Sequence, residues 1–469
     1  MDLSPTRLQL LDKLRPPENA WKPRKEVKVV LITLPSPWLI SDRDMPNLGV
    51  LYVAAYLREQ GVNVQVVDFC GVPTDYWFVP EADVYGISTT TPQYPLAKFV
   101  AQRIRDRQPS AYIVMGGYHP SAMPEFTLED SAADCVVKGD GEYSFLEVVK
   151  GYRPTKGVVH GQRVETLDAL PWPARDMIGI RDYHRIGTNA IIDKHDPKPV
   201  PVKEEYVLQS RGCPFTCGYC AQMLVSNRRV RYRSPECIRD EMEYLIDRYA
   251  VNRFYIFDDI FIIDKKRVHA FCDMVDTMWA DGRRFDWHCL ARADVGSLEL
   301  YQRMAASHCK QITYGLEHAD DRILKHNLKE CTAEQNMEAV VNAKKAGLRV
   351  RAQFIVGLPG ETDESVQTLA EFIQKCPADS MAAHIFVPLP GSPIYTHPEQ
   401  FGWDWNRGTD FTHYQTIGKP GEWKAHQIHL NADDVLRWAN QLKAVIADKN
   451  VFRHDARHQA VIAEKVGAC

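Results

Sequence analysis

Long apolar runs are missing from this chain. Nowhere do about eighteen or more apolar residues follow one another, so no membrane-spanning helix is expected. The first residues, Met1 to Lys28, are polar and contain proline, and they lack the apolar stretch of a secretory signal. A cytoplasmic protein is therefore expected, with no membrane partner. Strong charge is missing too: a formal net charge of −4 over 469 residues offers no overall attraction to nucleic acid, which is disfavoured as a partner. There is no repeat of solenoid or propeller period and no low-complexity tract. With 45% hydrophobic and 25% charged residues the composition is that of a folded enzyme, and the length suits two or three domains. Twelve cysteines without a secretory signal point to reduced thiols and metal ligands rather than a disulfide framework.

What is there is alternation. Short apolar runs at 28–34, 62–68, 84–88, 112–117 and 135–138 are separated by helix-like segments at 50–60 and 96–107. That pattern predicts βα units on a parallel sheet over residues 28–150, after an N-terminal extension at 1–27. From 151 to 202 the pattern decays into proline-containing text, read as a linker. A second series begins at 203, with strands expected at 206–209, 254–257, 286–290, 311–315, 350–356 and 382–387 and helices at 235–248, 265–279, 333–346 and 364–375. Six such repeats suggest an incomplete (β/α) barrel ending near residue 395. The remainder, 396–469, is aromatic and then helical near 432–449 and 452–466, which predicts a small, mainly helical cap. The expected fold class is α/β: a Rossmann-like parallel sheet, a partial (β/α)6 barrel and a C-terminal cap.

Three cysteines stand together in Gln209-Ser210-Arg211-Gly212-Cys213-Pro214-Phe215-Thr216-Cys217-Gly218-Tyr219-Cys220, on a loop at the carboxyl end of the first barrel strand. Barrel active sites sit at that end. Three thiolates leave one iron of a four-iron cluster open to a small molecule. The spacing alone also admits a zinc site short of its fourth ligand, or three unconnected thiols.

CxxxCxxC with an aromatic, Tyr219, before the last cysteine resembles the radical S-adenosylmethionine (SAM) enzymes. The resemblance implies a [4Fe-4S] cluster on Cys213, Cys217 and Cys220 whose open iron binds SAM, and cleavage of SAM to a 5′-deoxyadenosyl radical. It also gives later strand ends a meaning. Asp258 and Asp259 would bind the SAM ammonium group. Glu317, closing Tyr314-Gly315-Leu316-Glu317, is similar to the family's glycine–glutamate segment near SAM, and 354–362 follows the family again. Arg292 would hold the SAM carboxylate, since guanidinium suits bidentate recognition. Gln353 is expected beside the cofactor, and it would face the lumen with His288 and His384 if the strand register allows. None of the other nine cysteines has CxxC spacing; Cys289, on a strand, is a candidate hydrogen-atom donor.

In the first domain, Asn47 to Leu57, Ser88-Thr89-Thr90-Thr91, Gly116-Gly117-Tyr118-His119-Pro120 and Gly139-Asp140-Gly141-Glu142 resemble the cobalamin-binding domain that precedes many radical SAM barrels. Glycine and serine at strand ends let backbone approach a bulky ligand. Ser88, Thr90, Gly116, Gly117, His119, Gly141 and Glu142 are thus expected to contact cobalamin. Asp182-Tyr183-His184-Arg185-Ile186-Gly187 fits the DxHxxG pattern that gives cobalt a histidine elsewhere, but it lies in the linker and is taken as a chance match.

The resemblance implies cobalamin-dependent radical C-methylation of a small polar substrate, with a flavodoxin or ferredoxin as electron donor. Radical dehydration, rearrangement or cyclisation of a polyol or aminosugar-like substrate is the alternative. tRNA modification stands third, because the tail from Ala432 mixes acids and bases instead of forming a basic domain. A metal-binding scaffold without activity would fail to cleave SAM.

Overall fold

The structure is a computed structural model and describes residues 27–36, 42–183, 202–403, 411, 414 and 432–449. In the first domain the chain runs β1 (Lys28–Thr33), α1 (Leu48–Glu59), β2 (Asn63–Asp68), β3 (Val84–Ser88), α2 (Tyr94–Arg107), β4 (Tyr112–Gly116), α3 (Tyr118–Ala122), α4 (Pro124–Asp130), β5 (Cys135–Lys138), α5 (Glu142–Val149) and β6 (Gly157–His160). The six strands form one parallel sheet in the order β2-β1-β3-β4-β5-β6. Alternate residues of each strand bury on opposite faces. Val29, Leu31, Val114 and Val137 pack under α1 and α5, while Val30, Ile32, Ile87 and Met115 pack under α2. Apolar demand on both faces is why these strands read as near-continuous hydrophobic runs. The order reverses between β1 and β3, and ligands of such sheets bind beyond the strand ends at that switch point.

β6 lies inside the stretch read as a linker. It pairs in parallel with β5 as an edge strand, and four residues among prolines and glycines are too few to carry a period. Beyond it, residues 167–183 strap the two domains together. Arg175, 1% exposed, binds Glu241 at 2.7 Å and Glu205 at 3.3 Å and donates to the main-chain oxygen of Tyr206.

The second domain begins with β7 (Glu204–Val207), a short ribbon of β8 (Ser210–Arg211) and β9 (Arg231–Tyr232), and α6 (Gln222–Ser226) between them. It continues α7 (Pro235–Tyr249), β10 (Arg253–Ile256), α8 (Lys265–Ala280), β11 (Asp286–Ala291), α9 (Leu298–Ala306), β12 (Cys309–Glu317), α10 (Asp321–His326), α11 (Ala333–Lys345), β13 (Arg349–Val356), α12 (Asp363–Lys375), β14 (Ser380–Ile385) and α13 (Pro393–Thr396). Six strands form a second parallel sheet, β14-β13-β12-β11-β10-β7. Side-chain caps start the helices where the sequence turns: Ser234 accepts from Cys237 N with Pro235 opening α7, Asp264 caps α8, and Thr332 with Gln335 makes a capping box at α11. Val207, Ile256, Trp287, Ile312 and Phe354 pack outward against the helices. Their neighbours in the strands therefore face the lumen: Tyr206, Tyr255, His288, Gln311 and Gln353. Tyr255 stacks on His288 at 4.2 Å, and His288 pairs with Glu204 at 2.9 Å.

This parity corrects one expectation. Cys289 is fully buried in the outward core, so it does not face the lumen as a hydrogen donor. His384 stands opposite Ile355 on the lumen side, near Arg351 and Glu317. The last described helix, α14 (Ala432–Lys449), packs Trp438, Leu442 and Ile446 into the outward core. The helix expected at 452–466, residues 1–26 of the expected extension and His184 lie outside the described residues.

Candidate active site

The loop between β8 and α6 carries the cysteine triad. Cys213, Cys217 and Cys220 are half-buried, whereas the other eight described cysteines are buried. The loop is held from several sides. Gly212 has φ +111°, and a Cβ there would stand 2.2 Å from the main-chain oxygen of Arg229, so only glycine fits. Gly218 donates to Asn327 O at 2.8 Å and accepts from Ile394 N at 2.9 Å. Burial pushes the free thiols of Cys213 and Cys220 up, Cys220 to about 12, so loading metal must displace protons.

The carboxylates divide their work differently from expectation. Asp258 accepts from Gln209 N at 2.7 Å, Ser210 N at 3.0 Å and Ser210 Oγ at 2.6 Å, and is 1% exposed. Burial pushes its carboxyl up to about 7. It fixes the entry to the cysteine loop and is not presented to an ammonium group. Asp259 does face the cleft, taking Gly212 N at 3.2 Å and Gln222 Nε2 at 2.6 Å. Arg292 is likewise committed: Nε binds Asp294 at 2.7 Å, Nη2 donates to Lys329 O, and Nη1 donates to Cys217 Sγ at 3.3 Å. Each of its nitrogens is engaged by the protein and the group is buried, so it is not presented to the cleft as a free fork for a SAM carboxylate. Glu317 holds Lys329 at 3.1 Å from a left-handed backbone, φ +66°, beside an irregularity in the β12–β13 register. Strain of that kind in a non-glycine residue persists at functional sites. Tyr219 lies near Glu317 and Cys217; burial, then the charge of Glu317, pushes its phenol well above the ordinary range. Gln353 is half-buried on the lumen face of β13.

A cavity of about 180 Å³ opens at the switch point of the first sheet. Leu31, Gly86, Ser88, Gly116 and Val137 are among the residues that line it from the strands, Gly49 and Val53 from α1, and Gly117, Gly141, Glu142 and Arg211 also border it. Pockets that enclose a whole ligand usually exceed about 300 Å³, so this slot takes a slender arm of a larger molecule. A Cβ at Gly116 would project into it, meeting only Val137 O at 3.6 Å, whereas one at Gly117 (φ +98°) would strike Thr89 O at 2.7 Å.

Two of the residues expected to contact cobalamin are elsewhere. Thr90 turns to Gln93, its hydroxyl 3.0 Å from that side chain. His119 is fully buried on the opposite face of the sheet, stacked on Tyr94 at 4.1 Å and edge-on to Phe411; burial lowers its pKa to about 3. Residue spacing could not tell which way the turn after Gly117 would throw it.

The slot and the cysteine loop meet. Arg211, which lines the slot and binds Glu142 at 2.8 Å, precedes Cys213 by one residue, Gly212. Tyr118, next to Gly117, donates its hydroxyl to Gln222 Oε1 at 2.6 Å, and Gln222 N donates to Cys220 Sγ at 3.4 Å. Arg211, Gln222 and Lys329 were not singled out from sequence; the first two lie inside or beside the cysteine motif, which was the available signal.

Residues 207–373 match the Radical SAM superfamily and residues 41–149 match the B12 binding domain. The chain belongs to the radical SAM enzymes with an N-terminal cobalamin-binding domain. It is similar to an uncharacterized methyltransferase of Pyrococcus horikoshii, 29% identical over 403 residues covering 80% of this chain and 83% of the relative. It is 25% identical to the cytidylyl-2-hydroxyethylphosphonate methyltransferase of Streptomyces wedmorensis, over 81% of this chain and 83% of that one. An anaerobic magnesium-protoporphyrin IX monomethyl ester cyclase of Cereibacter sphaeroides is 28% identical, over 67% of this chain and 53% of that one. In fold it is like the radical SAM methyltransferase TsrM of Kitasatospora setae, with a TM-score of 0.64, 16% identity, and coverage of 90% of this chain and 89% of that one.

The donor sets suit the cofactors these domains use: SAM and a [4Fe-4S] cluster in the barrel, cobalamin in the first domain. N–H groups of Arg292 and Gln222 aimed at two sulfurs are what a cluster's thiolates accept. The glycine-walled slot at the switch point suits the nucleotide arm of cobalamin. No helix among the described residues is long and apolar enough to cross a membrane.

Proposed function

We propose that this enzyme transfers a methyl group from cobalamin to an unactivated carbon of a small polar substrate. One observation carries the reading. The slot and the cysteine loop adjoin: Arg211, which lines the slot, ends the strand that leads into the loop, and Tyr118 beside the slot reaches Gln222 beside Cys220. A reaction that needs both cofactors on one substrate needs this adjacency. The similarity to methyltransferases of Pyrococcus horikoshii and Streptomyces wedmorensis supports it.

When bound, SAM at the cluster supplies a 5′-deoxyadenosyl radical and cobalamin supplies the methyl group. The chain's own residues do the rest. Cys213, Cys217 and Cys220 hold the cluster; Asp259 and Glu317 flank the place of SAM; Ser88, Gly116, Gly117, Gly141 and Glu142 hold the corrinoid arm. Gln353 and His384, on the lumen face, receive the substrate. A small acidic iron–sulfur or flavin protein supplies electrons.

The test is anaerobic reconstitution with iron, sulfide and hydroxocobalamin. Corrinoid absorption should survive desalting, and turnover of SAM should yield S-adenosylhomocysteine beside 5′-deoxyadenosine. Loss of corrinoid on desalting would sink the methylation reading. Ala at Cys213, Cys217 or Cys220 should abolish SAM cleavage. A second reading, radical ring formation, is favoured by the similarity to the Cereibacter sphaeroides cyclase; it predicts 5′-deoxyadenosine without S-adenosylhomocysteine.

A further inference from the structure

Arg292 stands at the third strand end, where a cation for the SAM carboxylate was expected, yet its side chain is turned to the cluster loop. It is 3% exposed, its Cζ lies 3.9 Å above the ring of Phe215, and Asp294 and the main chain of Lys329 fix its plane. The remaining nitrogen, Nη1, donates to Cys217 Sγ at 3.3 Å. Lys329, 5% exposed and held by Glu317 at 3.1 Å and Gly315 O at 2.9 Å, is a second buried cation near the same sulfur.

We propose that Arg292 is a positioning residue for the cluster, and that its N–H on Cys217 raises the cluster's reduction potential. A low-potential one-electron donor, dithionite in the test, gives up one electron to the oxidised cluster. No bond breaks and no proton moves, so the cluster gains one full negative charge. A buried guanidinium hydrogen-bonded to a ligating sulfur stabilises the more negative state, and hydrogen bonds to sulfur are among the levers that set such potentials. With Arg292 buried, its attraction for that charge is screened much less than a surface pair's would be. The role is independent of the reaction the radical then starts.

The experiment uses the full chain, reconstituted anaerobically with iron and sulfide, in wild-type, R292Q and R292K forms. The reduced cluster is followed by electron paramagnetic resonance at fixed solution potential, and SAM affinity is read from the change in that signal on adding SAM. R292Q should lower the reduced-to-oxidised ratio about tenfold, equivalent to 59 mV for a one-electron couple, with SAM affinity changed less than about threefold. R292K keeps the charge and should recover most of the ratio. A ratio unchanged in R292Q overturns the proposal, and loss of SAM affinity at unchanged ratio returns Arg292 to the SAM carboxylate. Should R292Q fail to take up iron, R292K decides alone. Losing the directed N–H should still lower its ratio about twofold, and no fall overturns the proposal.

Discussion

Replacing Gly116 with leucine should weaken cobalamin binding in the first domain while leaving the barrel at work. Gly116 ends β4, its backbone has ordinary strand geometry, and a Cβ there meets only Val137 O at 3.6 Å, an ordinary contact. The fold should therefore tolerate the change within about 0.5 kcal/mol, as at positions without packing consequences. The isobutyl group beyond Cβ projects into a slot of only about 180 Å³. A ligand arm forced to share that space meets an overpacked site, which costs about 1–3 kcal/mol. At 1.4 kcal/mol per decade this weakens binding about 5- to 140-fold. Equilibrium dialysis against hydroxocobalamin, read by corrinoid absorption, measures the loss, while 5′-deoxyadenosine formation by mass spectrometry should persist. Wild-type cobalamin affinity in G116L would refute the assignment of the slot. Gly117→Ala is the contrasting variant, because its φ of +98° and a 2.7 Å clash with Thr89 O should cost fold stability itself.

Other variants test the remaining assignments. H119F should retain cobalamin, because the imidazole lies across the sheet in an aromatic cage; a loss of binding larger than any loss in melting temperature would contradict that placement. Glu241 is fully buried between Arg175 and Arg233. E241Q leaves buried Arg233 without a carboxylate and Arg175 with Glu205 alone, and should cost about 3–5 kcal/mol in denaturant unfolding. A cost below about 1 kcal/mol would mean that the strap between the domains does not depend on this pair. Burial raises the carboxyl of Glu361 to about 8, with Gly357 N and Leu358 N donating to it at 2.9 and 3.2 Å. A folded-state pKa above the ordinary value of 4.5 favours the protonated form. Its contribution is complete below about pH 4.5 and is lost as pH rises through 8, so stability should fall across that window. E361Q should flatten this slope, and an unchanged pH profile of melting would count against a protonated Glu361.

The strands and the cysteine loop were legible because their signals are local. A strand buried on both faces must be apolar throughout, and a cluster loop must bring three thiols close together in sequence. β6 and α3 were not legible, since four or five residues show no period. Arg292 and Asp258 were placed at the right strand ends and given the wrong partners. Their identities name the chemistry available, but the partner depends on which backbone groups the neighbouring loops present. Cys289 and His119 turned on parity: one step along a strand, or one turn after Gly117, moves a side chain from cavity to core.

By itself the sequence determined the α/β class, the order of the two parallel sheets and the three thiols at a barrel mouth, because hydrophobic period and ligand spacing are properties of contiguous residues. Tertiary structure alone brings Arg211, at the entry to the cysteine loop, into the wall of the slot at the first sheet's switch point, and lets Tyr118 reach Gln222 across the domain boundary. Those contacts join residues 69 and 104 positions apart. Their energy comes from burial and geometry set by the whole packed molecule, and no local pattern records it.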